Sequence, residues 1–157
     1  MSWYELLVIV TALGSGLIAG VFFAFSSFVM GALGRLPASH GIAAMQAINI
    51  VVINPVFLGV FLGTGALCLA VVIVAWTIWP DPRAMWLLVG ALAYLVGTFV
   101  VTMAFNVPRN DALAALTPDS ADGAAYWKRY LAEWTGWNTV RTVAALIAAA
   151  CLTIAAA

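Results

Sequence analysis

"NPVFLGVFLGTGALCLAVVIVAWTIW", residues 54–79, runs for 26 residues without one Asp, Glu, Lys or Arg. A helix needs roughly 20 apolar residues to cross the hydrocarbon of a bilayer. Backbone amides in lipid must bond internally, and the run lacks the period-2 alternation of a barrel strand, so it is a helix. Its first two residues mark where it starts. An Asn side chain caps free N–H groups, and Pro55 fits the first helical position, where its missing N–H is not needed.

Three further charge-poor runs of spanning length follow from the same reading: about 6–33, about 84–106, and about 138–157, the last with Arg141 near its start. Of the 157 residues, 66% are hydrophobic and 8% charged, with a mean hydropathy of +1.11. A soluble domain carries about 25% charged residues. The fold expected is all-α: an integral membrane four-helix bundle forming one domain over residues 1–157. The start, "MSWYELL", has no basic n-region and reads as a retained anchor. With a net charge of zero, no basic bias points to a nucleic-acid partner, and none is expected. Cys68 and Cys151 lie inside apolar runs and read as buried packing residues. The single histidine, His40, leaves no metal cluster, and there is no nucleotide-binding loop.

Four spans place both termini on one side. "WPDPRAMW" (79–86) is a tight turn on that side, and two longer connections, roughly 34–53 and 107–137, lie on the other. The long-loop face holds Arg35, Arg109, Lys128, Arg129 and Arg141, against Arg83 alone on the terminal face. The positive-inside rule then expects the long loops in the cytoplasm and both termini outside, across the inner or plasma membrane of a bacterium. Gly16, Gly20 and Ala24, with Gly59 and Gly63, have the spacing that lets helices approach. They are expected to pack within the bundle, with a homo-oligomer contact as the alternative. Glu5 reads as an interfacial carboxylate.

The polar residues gather on the long-loop side. Ser39 is expected to cap a short interfacial helix over about 40–51, with Met45, Ile48 and Val52 on one face and Gln46 and Asn49 elsewhere. An unpaired Asn49 amide in so apolar a setting costs about 1–3 kcal/mol, so it needs a partner. "FNVPRNDAL" (105–113) reads as the end of the third span, with Asn110 capping a short helix; Asn106 lies before the proline, where punctuation does not explain it. Asp119 or Ser120 is expected to cap an interfacial helix over about 120–134, on which Tyr126, Trp127, Tyr130, Leu131 and Trp134 recur at helical spacing. That pattern suits an aromatic belt or an aromatic-lined site for a flat ligand. Gly136 is expected to break this helix and Asn138 to cap the fourth span. Arg141 then lies one turn inside, either snorkelling to headgroups or turned inward to Asn side chains, Glu133 or a ligand oxygen.

Four stretches carry a resemblance to a known family: "GVFFAFSSFVM" (20–30), "MQAINIVVINPVF" (45–57), "FNVPRNDAL" (105–113) and "YWKRYLAEWTGWNTVR" (126–141). In their order, at the ends of four spans, they resemble the anthrone-oxygenase-like family of small four-helix membrane proteins. The resemblance implies oxidation of an anthrone to an anthraquinone, as some fungal members perform, with molecular oxygen as co-substrate and no prosthetic group. An oxygenase reading takes Asn106, Arg141 and Asn138 as stabilisers of an enolate, with His40 or Tyr130 as proton acceptor. For substrate binding the resemblance points to Asn49, Asn54, Arg109, Asn110, Trp127, Trp134, Trp137, Ser26 and Ser27. The expected function is a cofactor-independent oxygenase or oxidoreductase for a flat lipophilic phenol-, anthrone- or quinone-like molecule. The alternative is a non-catalytic membrane protein that binds a small lipophile or membrane lipid or assists a partner enzyme. A transporter or channel subunit is a third reading; the few polar residues at mid-span, such as Ser15, Thr64, Tyr94, Thr98 and Thr102, speak against it.

Overall fold

The computed structural model describes residues 2–157, and no strand occurs among them. Helix α1 (Trp3–Ala24) opens on a reciprocal cap: Ser2 Oγ accepts from Glu5 N at 3.3 Å and Ser2 N donates to Glu5 Oε2 at 2.8 Å. Glu5 therefore holds the helix start, beyond the interfacial role expected of it. Wide π turns at Phe25–Val29 lead into α2 (Met30–Gly34), so the first rod runs over Trp3–Gly34. Next comes α3 (Ala38–Val51). It starts after Pro37 rather than at Ser39, whose side chain makes no cap, because the proline sets the turn first. Helix α4 (Pro55–Thr77) starts as expected, with Asn54 Oδ1 accepting from Val56 N and Phe57 N at 3.0 Å each.

The third and fourth rods correct the sequence reading. The stretch 105–113 does not end a span. Helix α5 (Pro82–Leu92) continues through π turns at Ala93–Val100 and Thr102–Asn106 into α6 (Val107–Ala114), one rod over Pro82–Ala114. A proline inside a helix lacks an N–H and crowds the carbonyl one turn back. The wider turns just before Pro108 give its ring room, and Arg109 Nη1 donates to the Phe105 carbonyl there at 2.8 Å. Nor does Gly136 break a helix. Helix α7 (Ala121–Ala156) is continuous from its Ser120 cap, which accepts from Gly123 N at 2.9 Å, to the last turn. One glycine costs a helix about 1 kcal/mol relative to alanine, less than unbonded backbone in an apolar bundle. The expected interfacial helix at 120–134 is thus the first third of the fourth rod, and Asn138 caps nothing. Only residues 115–120 join the two rods.

Four rods are long and apolar enough to cross a membrane. At 1.5 Å per residue, the 33 residues of the third and the 36 of the fourth extend about 50 Å, against about 30 Å of hydrocarbon. Both rods overshoot the bilayer, and α3 packs against the overshoot. Gln46 Nε2 ties it there, donating to the carbonyls of Leu113 and Leu116 at 2.9 and 3.0 Å.

Two cores result. Toward the termini, Val8, Val71, Ala84, Leu87, Ala148 and Leu152 interlock. Toward the loops, Met30, Ile42, Met45, Leu113, Trp127 and Trp134 form a second cluster. The helices approach closely at glycines other than those expected. A Cβ on Gly90 would stand 3.0 Å from Leu152 Cγ, and one on Gly97 would collide with Ala144. Gly20, Gly59 and Gly63 have nothing within 4 Å, and Gly16 only Ala149 Cβ at 4.0 Å, so that stripe does not draw the bundle together.

Candidate functional site

On the long-loop side the rods part around a cavity of about 380 Å³. Phe22 and Phe25 of the first rod, with Phe57 and Phe61 of α4, supply flat walls. Met45, Ile48 and Asn49 of α3 and Val52 just after it roof it; the expected apolar face turns inward, and Asn49, expected elsewhere, shares it. Phe99, Thr102 and Asn110 of the third rod and Trp134 and Arg141 of the fourth complete it. The volume lies within the roughly 300–1,000 Å³ of small-molecule sites. At the rim, Ile53 (70% exposed), Met103 (53%) and Leu62 (49%) present apolar side chains outward. These side chains give the mouth an apolar rim.

Among the described residues, Arg141 is the one charged residue lining the cavity, and it is 4% exposed. Its Nη2 donates to Asn138 Oδ1 at 2.7 Å and its Nη1 to Thr102 Oγ1 at 3.1 Å. The guanidinium carbon lies 4.1 Å from the Phe22 ring centroid and 5.3 Å from that of Trp134. Its Nε has no partner. No carboxylate pairs with it, because Glu133 is taken by Arg109, at 2.9–3.0 Å, and lies 3.7 Å from Arg129. The side chain therefore does not snorkel; it turns inward and bonds neutral dipoles.

The dipoles around it are fixed in turn. Asn138 Nδ2 donates to the Phe22 carbonyl and to Ser26 Oγ, both at 2.7 Å, and Ser26 Oγ bonds Thr139 Oγ1 at 3.0 Å. The Thr102 hydroxyl donates to the Thr98 carbonyl at 2.7 Å, which leaves its oxygen free to accept from Arg141. Ser26, Thr98 and Thr102 sit in π turns, and Phe22 lies three residues before the first of them. Such turns are wider than α-helical ones and recur at functional sites.

A second polar cluster fixes the aromatic wall. Asn110 Oδ1 accepts from Tyr130 OH and Trp134 Nε1, each at 2.8 Å, a bridge between rods rather than the cap expected of it. Trp127, Tyr130 and Trp134 stack in succession, with centroids 5.5 and 6.1 Å apart.

Several expected site residues stand elsewhere. Asn106 is buried, but its Nδ2 clamps the Trp134 carbonyl at 3.2 Å, and it neither lines the cavity nor bonds Arg141. Tyr130 is behind the wall. His40 is exposed on the first turn of α3. Asn54 serves its own helix, Ser27 donates to the Phe23 carbonyl on an outer face, and Arg109 is ion-paired. Trp127 packs where a Gly41 side chain would be, and Trp137 stacks on Phe105 at 3.6 Å. Asn49, Asn110, Trp134 and Arg141 are the expected residues that the cavity brings together. Sequence reasoning missed Thr102 as a ligand of Arg141 and the phenylalanine walls. The spacing of Phe57 and Phe61, one helical turn apart and stacked at 5.9 Å, was a signal for the latter.

A buried cation in the wall of a flat apolar slot suits a planar lipophile that bears an oxyanion. Neither a carboxylate nor an imidazole lines the slot. No curated protein and no solved structure showed significant similarity to the chain. Residues 56–151, which carry α4, the third rod and most of α7, match the anthrone oxygenase family. Phe57, Phe61, Thr102, Asn110, Trp134 and Arg141 fall within that match, Phe22 and Phe25 outside it, and the chain belongs to the anthrone oxygenase family.

Proposed function

We propose that the protein is a membrane-embedded oxygenase for a flat, lipophilic anthrone- or phenol-like molecule, working without a prosthetic group. The observation that carries this reading is Arg141: a cation without a counter-ion in an apolar cavity, with a donor left unpaired. Burying a charge this way costs several kcal/mol unless something compensates it. An enolate or phenolate oxygen is a compensating group of the right sign, and the aromatic walls fit the rings behind it.

The chemistry needs little more. An anthrone loses a C–H proton to give an enolate whose charge Arg141 stabilises. With no basic side chain lining the cavity, the proton passes to water at the mouth. The enolate gives one electron to oxygen, the resulting radical and superoxide combine to form a C–O bond, and the peroxide anion takes back a proton from water. The hydroperoxide then loses water, breaking its O–O bond and the remaining C–H bond to leave the new carbonyl. Anthrone and oxygen thus become anthraquinone and water, and oxygen is the only oxidant. Asn138 and Thr102 position the guanidinium, and Trp134 and Phe61 hold the rings. The cations at this end, Arg35, Lys128 and Arg129 among them, support a cytoplasmic placement. Purified protein in lipid nanodiscs is expected to accelerate oxygen uptake with anthrone; no acceleration with any anthrone or hydroquinone overturns the reading.

The lack of a lining base favours one second reading, a non-catalytic carrier for an acidic lipophile. Stoichiometric binding of a phenolate without oxygen uptake would mark it.

A further inference from the structure

The chain has six Lys and Arg residues, and most have a place in the fold. Arg83 pairs with Asp81, Arg109 and Arg129 both reach Glu133, and Arg141 is buried at the cavity. Arg35 and Lys128 remain. Both are exposed, and among the described residues neither is ion-paired. They are far apart in sequence and close in the fold. Gly16 of the first rod faces Ala149, and a Cβ on Gly34 would stand 3.2 Å from Leu131 Cδ1, so the first and fourth rods run antiparallel. Arg35 directly follows Gly34, and Lys128 lies one turn before Leu131 on the same face of α7. Both cations therefore stand on the loop side of the Gly34–Leu131 contact.

Their level along the bundle is informative. At 1.5 Å per residue, α7 from Lys128 to Ala156 extends about 42 Å, and the 32 residues of the first rod, below Arg35, about 48 Å. A bilayer with its headgroups is about 40–45 Å thick. With the terminal end of the bundle at one water boundary, the pair reaches the headgroup layer of the other. Asp122 lies about 9 Å farther out along α7, and Asp119 is in the turn beyond it, so these carboxylates stand past the headgroups.

We propose that Arg35 and Lys128 together bind the phosphate of an anionic phospholipid on the long-loop side. This rests on the membrane setting of the proposed function and not on its chemistry. Two neighbouring cations without a protein counter-ion complement a phosphodiester. A headgroup of net negative charge suits them better than a zwitterionic one, whose own cation they repel. Gly31, one turn below Arg35, has nothing within 4 Å of an added Cβ, which leaves open surface for the lipid beneath its phosphate.

The test titrates the purified protein in neutral detergent with dioctanoyl phosphatidylglycerol, dioctanoyl phosphatidylcholine or inorganic phosphate, and counts bound molecules by native mass spectrometry. Phosphatidylglycerol is expected to bind saturably, and the other two at least about tenfold more weakly. A cation near an anionic headgroup is worth about fivefold, so Arg35→Gln and Lys128→Gln should each weaken phosphatidylglycerol by that factor. Arg129→Gln removes an exposed charge outside the pair and should leave binding unchanged. An unaltered melting temperature checks folding; should Lys128→Gln fail to fold, Lys128→Ala removes the same charge from mid-helix. Equal weakening by all three substitutions means diffuse attraction and overturns the site. Free phosphate that binds as tightly as the lipid overturns the lipid as occupant, and no binding of phosphatidylglycerol overturns the proposal outright. None of these readouts involves oxygen uptake, so a protein without oxygenase activity leaves the lipid site standing.

Discussion

The two ends of this bundle are built from the same four rods and behave oppositely. Toward the termini, Gly90 lets the third and fourth rods touch, and Ala84, Ala91 and Ala148 leave no space between them. Toward the loops, phenylalanines and Trp134 hold the rods apart, π turns widen the helices, and a cation sits where hydrocarbon would pack better. Small side chains close a bundle; large flat ones with fixed edges prop it open. The packed end supplies stability, and the open end carries the cost of a site.

The sharpest way to break this comparison is Arg141→Met. Loss of an oxyanion donor in a dry site costs about 100- to 1,000-fold in rate, so oxygen uptake should fall by that much. The same variant removes an uncompensated buried charge, so its melting temperature should stay level or rise. A fall in both would mean that Arg141 is a structural tie. Gly90→Val probes the packed end: with Leu152 Cγ 3.0 Å from the added Cβ, about 1–3 kcal/mol of stability should be lost by thermal denaturation in detergent. Gly59→Val, with open space around it, should change little in the same measurement. Asn110→Leu strands the Tyr130 hydroxyl and the Trp134 indole N–H, and should cost about 1–3 kcal/mol and loosen ligand binding. A small effect is also expected of Arg109→Gln. Its pair with Glu133 is partly exposed (23% and 42%), so the change should cost less than about 1 kcal/mol and leave oxygen uptake intact.

Much of the frame was legible in the residues. Charge-free runs located all four spans, Asn54-Pro55 and Ser120 marked true helix starts, and Met45, Ile48 and Val52 share the inward face of α3. The local signals that misled were Pro108 and Gly136. Each disrupts a helix in water, yet here the backbone has no better place to bond than its own helix, and π turns absorb the proline. Asn106 illustrates a different limit. Its burial was foreseeable from its place before the proline, but the choice between a ligand and the Trp134 carbonyl depends on where a neighbouring rod lies.

By itself, the sequence determined that this chain forms four rods long and apolar enough to cross a membrane and gathers its polar residues at one end. Hydrophobicity and the need to bond every backbone amide act locally, residue by residue along the chain. Which polar group meets which, and that Arg141 faces a cavity instead of a headgroup or Glu133, was decided by the tertiary structure. Those outcomes turn on the rotation and spacing of rods against one another, which packing between distant residues sets and no single stretch encodes.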